Sequence, residues 1–187
     1  MSIHSVRNEF ILPPAALSEA RKLFAQFNLN TDRPVLFIQP FTSAPRKNWP
    51  LENYLALANH WRARGVQVLF GGGPSERARL ESAERAGFPV SANAPLLVSA
   101  GLMKLSTLIV GGDTGLLHLA VAMDKRVVLL ALSSRHHPFQ HPEWSIAPSE
   151  GSDMASIKVP VVIETCTRAF AERESSKSSA ELSSALI

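Results

Sequence analysis

Cysteine is almost missing from this chain. Cys166 is the single one in 187 residues, which excludes an internal disulfide framework and fits a reducing compartment. Long hydrophobic runs are missing too, so no membrane-spanning segment is expected. The N-terminal MSIHSVRNEF has neither the basic nor the apolar region of a signal peptide. The expected location is therefore cytoplasmic, with peripheral contact at the inner face of a membrane as the nearest approach to lipid. A strong excess of one charge is also lacking. The net charge is +3 with an isoelectric point near 9.4. That suits anionic ligands or a membrane surface, and it is too mild to point to nucleic acid. There is no internal repeat.

What is present is ordinary for a globular domain: 45% hydrophobic and 19% charged residues, in a length that can bury a full core. After Pro13-Pro14, the segment Ala15 to Phe27 suits a helix, with Leu17, Ala20, Leu23, Phe24 and Phe27 on one side. Val35 to Ile38 and Val66 to Phe70 are continuous apolar runs, as in buried parallel strands. Between them, Leu51 to Arg64 is predicted helical, with Pro50 at its first turn and Gly65 as its stop. Gly71 to Glu76 is a second strand-to-helix turn, with Ser75 as the expected cap of a helix reaching about Ala86. A short strand near Val90, a turn at Pro95 and a short helix over Ser99 to Ser106 follow. Arg126 to Leu132 is another buried strand, and Ser133 to Pro148 a polar loop. Val161 to Ile163 is expected as a short strand, Glu164 to Arg173 as a closing helix, and Ser175 to Ile187 as a loose tail. This alternation predicts an α/β fold: a Rossmann-like parallel sheet with helices on both faces. The expected organisation is a leader or connection over 1–32, one domain over 33–174 and a flexible tail over 175–187.

The chain is organised around Leu108 to Ala122, LIVGGDTGLLHLAVA. Leu108-Ile109-Val110 suits a buried strand, Gly111-Gly112 break it, and Asp113 stands where a helix N-cap is expected. From Leu116 the pattern is helical. In an open α/β sheet such a turn lies at the carboxyl edge, where ligands bind. The N–H groups of Thr114, Gly115 and Leu116 then point out of the helix start, and with the helix dipole behind them they attract phosphate.

Three such turns are expected to meet on that edge. The first, QPFTSAPRKNWP, offers Thr42, Ser43 and Lys47. The second offers Gly71 to Gly73 and Glu76. The third offers Asp113, Thr114, Gly115 and His118. Hydroxyls, a lysine and helix N-termini are what a diphosphate requires. Glu76 cannot favour phosphates but can accept from ribose hydroxyls. Asp113 reads first as a cap and second as an acceptor for sugar hydroxyls, since a carboxylate beside phosphates repels them. His118 lies one turn into its helix, and facing a ligand or satisfying a core hydrogen bond are both open to it. The first turn contains no glycine at all, against the Gly-x-Gly-x-x-Gly expected there in a nicotinamide-dependent oxidoreductase.

These same turns resemble glycosyltransferase family 9, the ADP-heptose:lipopolysaccharide heptosyltransferases. Asp113-Thr114-Gly115-x-x-His118 matches the family's Asp-Ser/Thr-Gly-x-x-His signature. Thr42-Ser43 followed by Lys47-x-Trp49-Pro50 is similar to its hydroxyl pair and Lys-x-Trp-Pro, and Gly72-Gly73-x-x-Glu76 to its Gly-Gly-x-x-Glu turn. The motifs stand in the family's order over about Pro34 to Leu132. One departure is Ala131-Leu132-Ser133-Ser134, where the family usually has a glycine after the strand. The resemblance implies the C-terminal, nucleotide-sugar-binding half of a GT-B glycosyltransferase. Nothing in the chain resembles the N-terminal half, which in the family binds the acceptor and supplies the catalytic base.

The implied function is binding of an ADP-heptose-type donor for an inverting sugar transfer in lipopolysaccharide core synthesis. Thr42, Ser43, Lys47, Glu76, Asp113, Thr114, Gly115 and His118 are the binding residues, and Lys47 stabilises the leaving diphosphate. The base is unassigned, and the inner-core acceptor is a partner through another domain. The alternative is a non-catalytic nucleotide-binding half, or one needing a separate N-terminal partner. No metal and no cofactor are expected. The cluster Arg135, His136, His137 and His141 has no nearby cysteine or paired carboxylates and reads as a solvated loop. Cys166 reads as packing. With the other half absent, the leader residues Phe10, Ile11 and Leu12 are expected to be exposed.

Overall fold

The computed structural model describes residues 9–133 and 141–184, with side chains up to residue 171. Six strands form one sheet: β1 (Val35–Gln39), β2 (Gln67–Gly71), β3 (Val90–Ser91), β4 (Leu108–Gly112), β5 (Val127–Leu130) and β6 (Ser145–Ile146). The order is β3-β2-β1-β4-β5-β6, and every pairing is parallel. The helices are α1 (Pro14–Gln26), α2 (Leu51–Arg62), α3 (Glu81–Arg85), α4 (Leu96–Leu105), α5 (Gly115–Ala122) and α6 (Val159–Ser184).

Alternation within β1 builds both halves of the core. Val35 and Phe37 join Ala20 and Phe24 of α1, Leu102 and Met103 of α4 and Leu117 and Ala120 of α5 on one face. Leu36 and Ile38 join Tyr54, Leu57 and Trp61 of α2 and Val162, Cys166 and Ala169 of α6 on the other. All five residues of β1 are buried, as a strand covered on both faces must be. This is the expected α/β fold with helices on both faces. Since the strands are parallel, the turns after β1, β2 and β4 share one edge. Strand order reverses between β1 and β4, and the connections on either side diverge there, opening a crevice.

Several local expectations are corrected. Gly111 and Gly112 do not break the strand, because β4 runs through them. A Cβ on Gly111 would lie 2.5 Å from the Gln39 carbonyl oxygen, and one on Gly112 would lie 2.5 Å from Cγ2 of Thr42. The glycines let the loop after β1 lie against the end of β4. The second turn does not lead into one long helix. It forms two short 3-10 turns, Pro74–Glu76 and Ala78–Leu80, before α3, and its N-cap is Gly73 rather than Ser75. Val161 to Ile163 belongs to α6, not to a strand. Buried Val162, Thr165, Cys166 and Ala169 recur at helical spacing, and the β-branched run conceals that period. The backbone of α6 stays helical to Ser184, into the stretch read as a tail.

β6, inside the expected polar loop, pairs Ser145 with Leu129 and Ile146 with Leu130. Two residues carry no alternation that would announce a strand. Of Phe10, Ile11 and Leu12, the leader residues expected to be exposed, Ile11 is, at 82%. Phe10 and Leu12 pack against the core with α1, and the Phe10 N–H bonds the Ala122 carbonyl at 2.8 Å.

Candidate functional site

The turn after β1 is built on its own hydrogen bonds. Thr42 is buried. Its hydroxyl donates to the Ala44 carbonyl at 2.9 Å and accepts from the Ala44 N–H at 3.2 Å. Its own N–H donates to Oδ1 of Asn48 at 2.8 Å. Ser43 is exposed beside it. A 3-10 turn, Pro45–Lys47, then aims Lys47 back over the sheet edge. Trp49 anchors the loop from below. Its indole N–H donates to the Ile157 carbonyl at 2.9 Å, and its ring meets Tyr54 edge-on at 4.8 Å. The loop therefore carries Lys47 on a base anchored by Trp49.

The turn after β2 folds Glu76 onto itself. One carboxylate oxygen accepts the Gly73 N–H at 2.7 Å, the reach-back arm of a cap. Any role toward a ribose falls to what this carboxylate has left to offer.

After β4, Thr114 and not Asp113 is the N-cap of α5. Its backbone is extended and its side chain accepts from the Leu117 N–H. The helix start leaves the N–H groups of Gly115 and Leu116 without a helical acceptor. Asp113 is freed for another task. Its Oδ2 lies 3.2 Å from Lys47 Nζ and its Oδ1 lies 3.0 Å from Nε2 of His118. Burial alone pushes its pKa up, but the bonds from His118 and Lys47 and their charge outweigh that, so it sits below the ordinary carboxylate range. An ionised acceptor at Oδ1 requires the proton of His118 on Nε2. His118 is exposed, its side chain 60% accessible, so of its two open readings the core hydrogen bond is excluded.

The structure thus brings Lys47, Asp113 and His118 into contact, with Thr114 and Gly115 alongside and Thr42 against the end of β4. Glu76 and Ser43 lie on the same edge without touching that cluster. Lys47 and the open N–H groups of α5 can hold an anion, while Asp113 fixes Lys47 and His118 beside them. Asn48, whose Oδ1 holds the Thr42 N–H, escaped sequence reasoning. The only signal for it was its place inside Lys-x-Trp-Pro. Of the histidine-rich loop, Arg135, His136 and His137 lie outside the described residues. His141 pairs with Glu143 at 2.8 Å, and among the described residues no group of three His, Cys, Asp or Glu could hold a metal. Cys166 is buried, and burial pushes its thiol pKa up, as a packing role requires.

The model of Glycosyltransferase family 9 (heptosyltransferase) matches residues 7–147. Lipopolysaccharide heptosyltransferase 2 of Salmonella typhimurium is 30% identical over 129 residues, which are 63% of this chain and 37% of that protein. The matched part of the chain thus covers well under half the length of this curated relative. Among solved structures, E. coli ADP-heptose lps heptosyltransferase II superposes with a TM-score of 0.71 at 23% identity, over 89% of this chain and 54% of the other. E. coli heptosyltransferase WaaC with ADP-2-deoxy-2-fluoro heptose gives 0.62 at 21%, over 80% and 47%. Both likenesses concern the fold.

Proposed function

The chain belongs to glycosyltransferase family 9, and from that premise we propose that it is the donor-binding half of an inverting glycosyltransferase of lipopolysaccharide core synthesis. The donor is a nucleotide sugar of the ADP-heptose type. The observation that carries this reading is the Lys47–Asp113–His118 cluster at the start of α5, on the edge where strand order reverses. The solved heptosyltransferase with a fluorinated ADP-heptose makes such a donor the natural probe.

In this reading the diphosphate lies over the N-terminus of α5, taking the Gly115 and Leu116 N–H groups and Lys47. As the bond from the anomeric carbon to the leaving oxygen breaks, charge grows on the diphosphate, and donors fixed in advance stabilise it. Ser43 and Thr42 line the approach, and Glu76 accepts from the ribose. An acceptor hydroxyl attacks the anomeric carbon from the opposite side. Its proton goes to a base that a further domain or a separate polypeptide provides. Both carboxylates of the edge support this division, since Asp113 is tied to Lys47 and His118 and Glu76 to Gly73. The lipopolysaccharide inner-core acceptor would likewise be held mainly outside these residues. The division into a connection over 1–32, a binding domain over 33–174 and a tail belongs to the same proposal. So does a cytoplasmic location at the inner membrane face; among the described residues no helix is long and apolar enough to cross a membrane.

The decisive experiment is calorimetry with ADP on the wild-type chain, Lys47→Ala and Gly115→Val. Wild type binds, and both variants bind less. Absence of binding to wild type, or equal binding by all three, overturns the nucleotide site. Sugar transfer by the purified chain alone overturns the claim that the base comes from elsewhere. Binding without transfer is also what the second reading, a non-catalytic half, requires. Adding the N-terminal half of a relative separates the two: transfer restored supports the enzyme half.

A further inference from the structure

The two partners of Asp113 are not equivalent. Lys47 carries a permanent charge, and Asp113 is the only partner of its ammonium group among the described residues. His118 meets the other carboxylate oxygen through Nε2 at 3.0 Å. It is a neutral or a charged partner according to whether Nδ1 also carries a proton. Among the described residues Nδ1 has no partner, and the side chain is 60% accessible.

His118 stands three residues after Gly115 on α5, and both are exposed. The ring therefore lies on the flank of the helix whose start offers the open N–H groups. The charged groups around it are few. Asp113 comes from the turn after β4 and, through it, Lys47 from the loop after β1. The neighbouring α4 and β5 turn Leu102, Met103, Val127 and Leu129 toward the core they share with α5. Lys104 of α4 is tied to the Met123 carbonyl at the opposite end of the helix, and Glu9 precedes the Phe10 that bonds Ala122 there. A diphosphate over the Gly115 and Leu116 N–H groups changes this balance. It draws on Lys47, whose side chain is 33% accessible, and it stands beside the Asp113 carboxylate, which it repels. A proton on Nδ1 restores the missing positive charge, since nearby anions favour the imidazolium. It also makes the bond from Nε2 to Asp113 charge-assisted.

We propose that His118 is a positioning residue that works by proton uptake. As the diphosphate takes Lys47 from Asp113, the imidazole gains a proton from solvent at Nδ1, keeps its Nε2–H on Oδ1 and so holds Asp113 in place. When the diphosphate leaves, the proton returns to solvent and Lys47 to Asp113. Donor binding is thereby tied to pH: it is tighter where the imidazole can be charged and weakens as the pH rises. The inference rests on the donor-site reading above and adds to it the coupled proton.

The test is long-range proton–nitrogen NMR of the imidazole rings at a fixed pH of about 7.5, with the His118 signals assigned from His118→Gln. In the free chain Nε2 should carry the proton and Nδ1 be bare. Saturating ADP should shift the ring toward its doubly protonated form at the same pH. Calorimetry in two buffers of different ionisation enthalpy, neither of them phosphate, should show proton uptake by wild type beyond that of His118→Gln. The ratio of wild-type to His118→Gln affinity for ADP cancels the titration of the nucleotide itself. It should fall about three- to tenfold between roughly pH 6.5 and 8.5. Lys47→Ala imitates the state in which the lysine has left, so without ligand its His118 should be more protonated than that of wild type at the same pH. An Nδ1 that stays bare with ADP bound, an affinity ratio indifferent to pH, or a Lys47→Ala ring as neutral as the wild-type one overturns the proposal. ADP binding without excess proton uptake sinks this inference and leaves the donor site standing, whereas no ADP binding by wild type sinks both.

Discussion

Asp113 holds Lys47 and His118 at once, one on each carboxylate oxygen, at 3.2 and 3.0 Å. These residues come from the loop after β1 and the turn after β4, on the two sides of the point where strand order reverses. A carboxylate in that position restrains a lysine that would otherwise roam, and keeps its charge over the crevice.

The first prediction follows from that bridge. Lys47→Ala should weaken ADP binding by about 1.5–3 kcal/mol, the range for a hydrogen bond to a charged group. It should also raise the Asp113 pKa, since one of the bonds that hold it down is gone, and His118→Ala should do the same. Carboxylate carbon NMR across an acid titration measures both, and an Asp113 pKa indifferent to either change contradicts the bridge.

The second prediction concerns acid. The folded-state pKa of Asp113 is depressed, so its contribution to stability is present above the unfolded value and is lost as pH falls through the folded one. Asp113→Asn should therefore be less stable than wild type near neutrality. The gap should close as the pH drops through and below the ordinary carboxylate range. Urea unfolding of both proteins at neutral and acid pH gives the comparison, and a gap that widens in acid refutes it.

Two glycines of one motif should behave in opposite ways. A Cβ on Gly111 runs into the Gln39 backbone, whereas one on Gly115 meets nothing within 4 Å. Gly111→Ala should cost roughly 1–3 kcal/mol or more of stability, as overpacking does. Gly115→Val should fold normally but lose ADP binding, because its side chain stands in the approach to the helix N-terminus. Urea midpoints and calorimetry on the pair distinguish a fold glycine from a site glycine.

Tyr54 supplies a prediction about stability alone. It is fully buried, its hydroxyl has no hydrogen-bond partner among the described residues, and burial raises its pKa strongly. Tyr54→Phe keeps the edge contact with Trp49 and removes an unpaired polar group. The variant should be as stable as wild type or up to about 1–3 kcal/mol more stable. A clear drop in the urea midpoint would reveal a partner for the hydroxyl.

The amino-acid sequence by itself determined the α/β class, the strands at β1, β2, β4 and β5, and the turns that share the carboxyl edge. These follow from short-range chemistry: apolar runs of strand length, helical spacing on α1, α2 and α5, and prolines and glycines at the ends. Family membership was legible for the same reason, since Asp113-Thr114-Gly115-x-x-His118 and Lys47-x-Trp49-Pro50 are local patterns.

Tertiary structure decided what depends on residues far apart in the chain. The sequence puts Asp113 at a helix start, where capping is the obvious role. Only the approach of the β1 loop, 66 residues earlier, draws it to Lys47 and leaves the cap to Thr114. Gly111 and Gly112 look like a break until Gln39 and Thr42 are seen against them. Val161 to Ile163 is β-branched enough for a strand, but the core offers a surface where Val162, Cys166 and Ala169 bury together only as a helix. β6 exists because β5 presents an open edge, not because Ser145 and Ile146 favour a strand. Local preference amounts to tenths of a kcal/mol per residue, and burial of a single large side chain is worth about 1.5–3 kcal/mol, so where the two disagree the packing prevails.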